Sequence, residues 1–579
     1  MSGQFRGDFT RDTFEPFKHF CRVLMQQGRV QLDADWNEQA AILLNYIRTL
    51  AKDLMGPSGA AGDGFLLGQM LDNSGNPASL ADFLIHWGDF YVDGILCELN
   101  SESLPIAVDP KNASQVLLPT AILDGAGFPQ GKYVVVYDAA GSSGKSLLVA
   151  ASSLSADGRS LNVETDVLAA LDETTPVDLR LRRVITFLTQ PDFPVAGFGG
   201  TQKASTYLAY LDVWERHISW VEDDSILEVA LGGPDTSSRS KVVCQIKITN
   251  QTPNHDPIPS EFSGPNGAAA GKKWLGTNWP PYPLLWQPPN RGWLIAQTSP
   301  RAETNTNACI ISPTARYRGS ENQLYRVEVH TGGSVGSSTP ATAPSNPVPT
   351  FKWSREDGSA IYKVLRIATS SGTGSPTTDV QLANLGRDAR FGLNVGDWVE
   401  LVNDDYTLLN MADPLLQIES INVLTMTVTL AGATDSKITA DPSKHPLLRR
   451  WEHKQLDPST TGVQWNSADN AIKIIEASGS PAIPWIDLED GIQIQFEPAP
   501  GGPSIVNAYR TGDYWLIPAR TAKGGEVLWP TDASGNPLTQ QPHGVTHHYA
   551  PLAFVGVSAN GLVASSPADC RRLITQVTT

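Results

Sequence analysis

The sequence predicts a mainly β, multi-domain protein made of β-sandwich-like and barrel-like modules behind a short N-terminal helical segment. Three observations lead there. The chain holds 50 Gly and 42 Pro in 579 residues, about 16% against an ordinary ~12%, an excess that favours turns and short strands. Beyond residue 64, apolar residues recur with period two or in compact runs bounded by Gly, Pro, Asn and Asp, which is the strand pattern. Long helical patterns do not alternate with these runs, so βαβ units are not expected.

The N-terminal segment carries the helical signal. Thr13 reads as an N-cap with Pro16 in the first turn, where its missing donor does little harm. Phe14, Phe17, Phe20, Cys21 and Leu24 then draw an apolar stripe at helical spacing, and Gly28 stops it. Asp35 and Glu38 have capping-box spacing before a second helix that runs to about residue 55 and ends at Gly56-Pro57. Its apolar face is Trp36, Ala40, Leu43, Leu44, Ile47, Ala51 and Leu54, with Ile42, Tyr46 and Leu50 on a flank. One stripe would dock a helix on its own domain. A broader apolar surface near a terminus suits another subunit, which makes Phe17, Phe20, Leu24, Trp36, Leu43, Tyr46, Ile47 and Leu50 the candidate docking residues. Ordinary burial within the chain is the competing reading.

Strands are expected at 83–87, 90–96, 133–137, 182–188 and 206–213, with 217–221 pairing back on 206–213. Further strands fall at 242–248, 323–330, 350–354, 360–367, 397–402, 415–430 (as two strands), 492–496, 514–517 and 552–557. A short helix is expected at 163–171. Residues 250–291 read as a Pro-, Asn- and Gly-rich loop. Residues 331–349 and 370–378 read as low-complexity linkers. The resulting division is a helical docking segment (1–57), a β-rich domain (58–249), a β-rich region with Pro/Gly-rich loops (250–361), a small barrel-like insert (362–432) and a C-terminal β-rich domain (433–579).

Composition narrows the function. A net charge of −17 repels phosphate backbones and anionic lipid surfaces, so neither nucleic-acid binding nor direct membrane insertion is expected. No apolar run approaches the ~20 residues of a membrane helix, and the first residues lack the apolar core of a secretory signal. Cys21, Cys97, Cys244, Cys309 and Cys570 form no CxxC pair, the pattern of buried, reduced thiols in a protein folded in the cytoplasm.

Several clusters carry potential chemistry. His543, His547 and His548 could hold a metal, but no HExxH or CxxC accompanies them, and local hydrogen bonding is the simpler reading. Glu222, Asp223 and Asp224 lack EF-hand spacing and read as a turn. Glu489 and Asp490 precede Gly491 and read as a hairpin turn rather than a glycosidase pair. Trp274, Trp279, Trp286 and Trp293 punctuate the Pro-rich stretch and are the candidate glycan or partner contacts, with burial against their own sheet as the alternative. No nucleophile elbow, P-loop or dinucleotide fingerprint is present. No catalytic residue, metal site or cofactor is therefore assigned.

The segments GDFTRDTFEPFKHFCRVLMQQGRVQLDADWNEQ (7–39), YLDVWERHISWVEDDSILEVALGGPDTSSRSKVV (210–243), NQLYRVEVHTGG (322–333), TFKWSREDGS (350–359), GDYWLIPART (512–521) and PHGVTHHYAPLA (542–553) together resemble a bacterial domain family of unknown function. Its members occur in gene clusters for extracellular contractile injection systems, which are relatives of phage tails. The resemblance spans nearly the whole chain. It implies a non-catalytic structural subunit of such a particle, in the baseplate, in a cage around the spike or in a fibre. It also implies other particle subunits as partners and a homo-oligomer of three-fold or six-fold symmetry. Assembly in the cytoplasm, with or without later release of the particle, is the matching location. A glycan-binding adhesin or receptor-recognition protein of the same particle is the alternative.

Overall fold

The computed structural model describes residues 3, 5–70, 82–100, 103–118, 133–139, 146–155, 157–163, 165–171, 178–194, 204–233, 235–264, 266–299, 316–335, 348–370, 375–386, 392–454, 463–477, 485–500, 505–522, 525–559, 561, 563 and 565–574. The chain is mainly β, with antiparallel strand pairing throughout its sheets. It divides into two discontinuous units rather than five consecutive segments. One unit comprises Met1–Tyr46, Trp214–Val242 and Trp286–His547. The other comprises Ile47–Val213, Val243–Leu285 and His548–Thr579.

The first unit holds a six-stranded sheet in the order Trp465–Asn466, Ala471–Lys473, Thr350–Ser354, Gln323–Val329, Tyr514–Arg520 and Glu526–Val527. A three-stranded sheet of Trp293–Thr298, Ile492–Glu497 and Ile486–Asp487 shares its core. That core includes Tyr325, Val327, Phe351, Trp353, Ile494, Phe496 and Trp515, all nearly inaccessible. A closed barrel follows, formed by Ile361–Ser370, Thr377–Leu382, Thr427–Ala431, Leu416–Asn422, Trp398–Val402 and Leu447–Trp451. Its last strand lies beyond residue 432, where the sequence placed the end of the insert. The pattern LLRRW reads as too charged for a core strand, yet all five of its residues are buried.

A further sheet joins Arg239–Thr249, Ser205–Ile218, His548–Val557 and Ala568–Asp569, and the second unit contains a seven-stranded sheet whose core includes Val116, Val134, Val136, Leu161 and Leu181. The expected hairpin between 206–213 and 217–221 does not form. Ser205–Ile218 is one 14-residue strand, and it pairs from Ser205↔Val557 to Val213↔His548. Trp214, Glu215 and Arg216 supply none of the turn residues a reversal needs. Conversely, 90–96 is not one strand. Asp93 (φ 48°) and Gly94 (φ 80°) reverse the chain between Gly88–Val92 and Ile95–Leu99, the Asp-Gly hairpin turn.

The helices also differ from expectation. Asp33–Met55 forms the long helix α1, which begins two residues before Asp35 and stops at Gly56 (φ 82°). The expected helix from Phe14 to Leu24 is a single 3-10 turn, Pro16–Lys18, with His19 in the left-handed region. Isolated helices this short are marginal without packing, and none of the residues of that turn is buried. In 250–291, read as a loop, Gly267–Asn278 and Pro281–Trp286 are helices. Pro281 and Pro283 sit in a first turn, where no intrahelical N–H is lost. The short helix expected at 163–171 is confined to Val167–Leu171, and Asp166 accepts the Ala169 N–H at 3.0 Å. Residues 336–347 and 371–374 of the two linkers, and Cys309, lie outside the described residues. Cys97 and Cys570 are buried, but Cys21 is exposed, because the stripe that was to cover it does not form a docked helix.

Candidate functional site: an exposed apolar face and a buried ion network

The most conspicuous surface lies at the start of the chain. Phe17 is 87% exposed, and Phe20, Leu24, Trp36, Leu43, Tyr46, Ile47 and Leu50 are all exposed. These are the eight candidate docking residues. Met25, Val30, Leu44 and Leu54 are exposed as well. In α1 only Ala34 and Ile42 are buried.

This surface is not a loose tail. Within the first unit, residues 3–9 thread into the six-stranded sheet. The Arg6 guanidinium donates to Glu328 through Nε (3.0 Å) and Nη2 (2.8 Å). The Gly7 N–H donates to Asp357 at 3.3 Å, Arg326 donates to the Phe5 carbonyl at 2.7 Å, and the Tyr514 hydroxyl donates to the Gly3 carbonyl at 3.0 Å. Further along, Thr10 donates its N–H (2.9 Å) and hydroxyl (2.6 Å) to the carboxylate of Asp33, at the first turn of α1. The Thr13 hydroxyl donates to Glu38 at 2.6 Å, so the expected cap residue holds the next helix instead of its own.

The strands that receive residues 3–9 are buried on both faces and still carry charge. Arg326 Nε donates to Glu328 at 2.6 Å and Nη1 to Asp357 at 2.9 Å, and the guanidinium lies 3.6 Å from the centre of the Tyr514 ring. Lys352 Nζ lies 2.7 Å from Glu400 and 4.4 Å from the centre of the Trp451 ring. Such groups persist inside a protein only when paired and hydrogen-bonded. Arg6, Arg326 and Lys352 hold Glu328 well below the usual carboxylate range against the opposing effect of burial. Burial pushes Asp357 up to about 6 and Glu356 up to about 7, the latter with help from neighbouring Glu452. Burial lowers His217, His330 and His453 to about 3. Alternating charge along 323–330 has the pattern of a half-exposed strand, which hides this network from a reading of the residues alone.

A cavity of about 330 Å³ lies beside the N-terminal segment, and Asp8, Arg11, Asn322, Glu356 and Arg520 are among its lining residues. Two of its charged groups have internal partners. Arg520 donates to the Gln323 carbonyl at 3.1 Å, and Glu356 pairs with Arg450 at 2.9 Å.

The remaining candidates have structural partners. His543 stacks on Tyr514 with centroids 5.9 Å apart, and burial lowers it to about 4. His547 lies 5.7 Å from Trp214 and donates its backbone N–H to Gln287. His548 lies 2.9 Å from Asp93. Among the described residues, no group of three or more His, Cys, Asp or Glu is placed to hold a metal ion. Asp223 caps a 3-10 turn, and Glu222 accepts from Ser219 and Arg216. Asp490 (φ 47°) and Gly491 (φ 82°) form a hairpin turn, while Glu489 pairs with Arg355 at 2.8 Å and accepts from the Tyr325 hydroxyl at 3.1 Å.

The four tryptophans do not gather on one element. All are half-buried. Trp274 packs on Phe262, Tyr282 and Phe554, and Trp279 packs on Tyr282, in the second unit. Trp286 and Trp293 belong to the first unit, Trp293 at the start of a paired strand. No described helix is long and apolar enough to cross a membrane.

A comparison with curated proteins finds no match. The model of a family of unknown function (DUF6519) matches residues 5–131, 184–259 and 293–578. It covers the anchored N-terminal segment, α1, the barrel and the buried ion network, and the chain belongs to that family.

Proposed function

We propose that this protein is a structural subunit of a contractile, phage-tail-like injection particle, in its baseplate, spike cage or fibre region, and that it joins neighbouring subunits through the N-terminal segment and α1. The observation that carries the reading is the exposed apolar face from Phe17 to Leu54. Contiguous apolar surface beyond a few hundred Å² is rare on monomers and marks an interaction site, and water disfavours it by roughly 25 cal/mol per Å². The anchoring of residues 3–9 supports the same reading, because a surface fixed to a rigid sheet can transmit position from one subunit to the next. The particle itself comes from the resemblance of the six quoted segments. Its neighbours are other particle proteins and further copies of this chain in three-fold or six-fold order, assembled in the cytoplasm.

The test must leave residues 3–9 in place, since deleting the whole N-terminal segment would also strip Glu328 of Arg6. A tagged chain carrying Phe17→Ser, Leu24→Ser, Leu43→Ser and Leu50→Ser is expressed with the rest of the gene cluster, and particles are sedimented. The wild-type chain is expected in the particle fraction and the variant in the soluble fraction. Absence of the wild-type chain from intact particles would overturn the assignment.

A further inference from the structure

α1 carries a repeat more specific than exposure. Trp36, Ala40, Leu43, Ile47, Leu50 and Leu54 follow one another at spacings of four, three, four, three and four. The alternation of four and three is the a/d heptad pattern, 3.5 residues per apolar position over each full heptad, of a seam that meets another helix. The five large side chains of this seam are between 52% and 76% exposed. The helix rests on its chain through other positions. Ala34 and Ile42 are buried, Glu38 accepts from Thr13, and Lys52 Nζ lies 2.7 Å from Asp93. Gly94, at the tip of the 88–99 hairpin, has no room for a side chain, because a Cβ there would collide with the Arg48 carbonyl. The seam is therefore the face of α1 that its own chain leaves open.

We infer that α1 pairs through this seam with α1 of a second copy of the same chain, which rests on reading the N-terminal face as an assembly surface. Three observations select a copy of the chain as the occupant. A 3.5-residue seam packs knobs into holes only against a helix with the same repeat, and a second copy supplies one. The exposed apolar side chains of α1, with Leu44 and Tyr46 beside the seam, present roughly 800 Å² per copy, one partner's share of a standard interface. The third observation is charge. The chain carries −17 overall, which opposes self-association, yet the positions flanking the seam are Asn37, Gln39, Leu44, Tyr46, Ala51 and Asp53. With one carboxylate among six, like-charge repulsion is nearly absent where two copies of α1 would meet. A seam meant for a basic partner would carry acids at those positions instead.

The test is sedimentation of the full chain over a wide concentration range. The wild-type protein is expected to sediment as an oligomer. Leu43→Asp with Ile47→Asp places two charges in the seam and should give monomer. Asn45→Asp places one such charge on an exposed position outside the seam and should leave the oligomer intact. Matching far-UV circular dichroism and melting curves for the two variants verify folding, and Leu43→Ala with Leu50→Ala, which adds no charge, should weaken association in the same direction. A wild-type monomer at every concentration, or an oligomer indifferent to the seam substitutions, overturns the inference. If the wild-type chain is monomeric alone but enters the particle, and the seam variant does not, self-pairing falls, the seam belongs to a different subunit, and the particle reading stands.

Discussion

Two regions of this chain invert the usual distribution of polarity. α1 and the segment before it hold aromatic and aliphatic side chains in water, while the strands Gln323–Val329 and Thr350–Ser354 hold Arg326, Glu328 and Lys352 away from it. The difference lies in who supplies the partners. Every charge in that list has an internal counter-charge within 2.9 Å. The large apolar groups along the α1 seam are between 52% and 76% exposed. The buried charges are thus a finished device of the chain alone, fixing residues 3–9 and so the origin of the exposed surface. On the proposed reading, the exposed apolar groups are completed only by another polypeptide.

The strongest way to break this contrast is to unbalance the buried side. Glu328 accepts from Arg6 and Arg326 and lies 3.6 Å from Lys352. Glu328→Gln leaves three cations with one fewer charge among them, and removing one member of a buried pair costs about 3–5 kcal/mol. Urea unfolding should show a loss of that size, and residues 3–9 should become accessible to protease. A loss below about 1 kcal/mol would mean that the network is wetter and weaker than its burial implies.

The buried titratable groups give the contrast a pH dependence. His217, His330 and His453 are lowered to about 3 and His543 to about 4 by burial. Unfolded histidines take up protons near pH 6.5 while these do not, so their contribution to stability is present above about 6.5 and is lost as pH falls toward 3–4. Glu356 at about 7, and Asp357 and Asp513 at about 6, act oppositely. They favour the fold at low pH, and that favour is lost as pH rises through 6–7. Burial also raises Asp397, Asp413, Glu476, Glu489 and Glu497, so the two sets oppose each other across pH ~6.5–4.5, and each deeply lowered histidine contributes a loss on the order of 2 kcal/mol on acidification. Relative to the wild-type chain, His453→Gln should therefore keep more of its urea midpoint as pH falls through that window.

A smaller effect probes the hinge between the two regions. Asp33 receives both donors of Thr10. Asp33→Ala should cost about 1 kcal/mol, the usual value of a helix-terminal hydrogen-bonding carboxylate. Hydrogen exchange should quicken in the first turn of α1 while the strands of the ion network stay protected.

Much of the fold was legible because local chemistry and tertiary structure agreed. Thr350–Ser354 appears with the expected bounds, and Gly396-Asp397 introduces Trp398–Val402 as its turn chemistry requires. Legibility failed where a neighbour far along the chain decided the outcome. The stripe from Phe14 to Leu24 has helical spacing but nothing to pack on, so it stays irregular apart from one 3-10 turn. Leu447–Trp451 looks too polar for a core, until Arg450 is seen paired with Glu356 and Glu452. The Asp93-Gly94 reversal carried an available signal that the apolar run around it obscured. The exposure of many large apolar side chains near the start of the chain was legible in part, since apolar positions occupy more than one flank of α1.

The smallest effect is the most discriminating. Phe17→Ser and Leu50→Ser, singly and in the purified chain, should change unfolding free energy by less than about 0.5 kcal/mol, as for surface positions without special contacts. A buried Phe or Leu truncated in the same way would lose about 2–5 kcal/mol. The measurement therefore separates the two accounts of the N-terminal face. If these side chains serve the chain's own core, serine destabilises it. If they await a second polypeptide, serine leaves the isolated fold untouched, and the cost appears only in association, where the area they would have buried is missing.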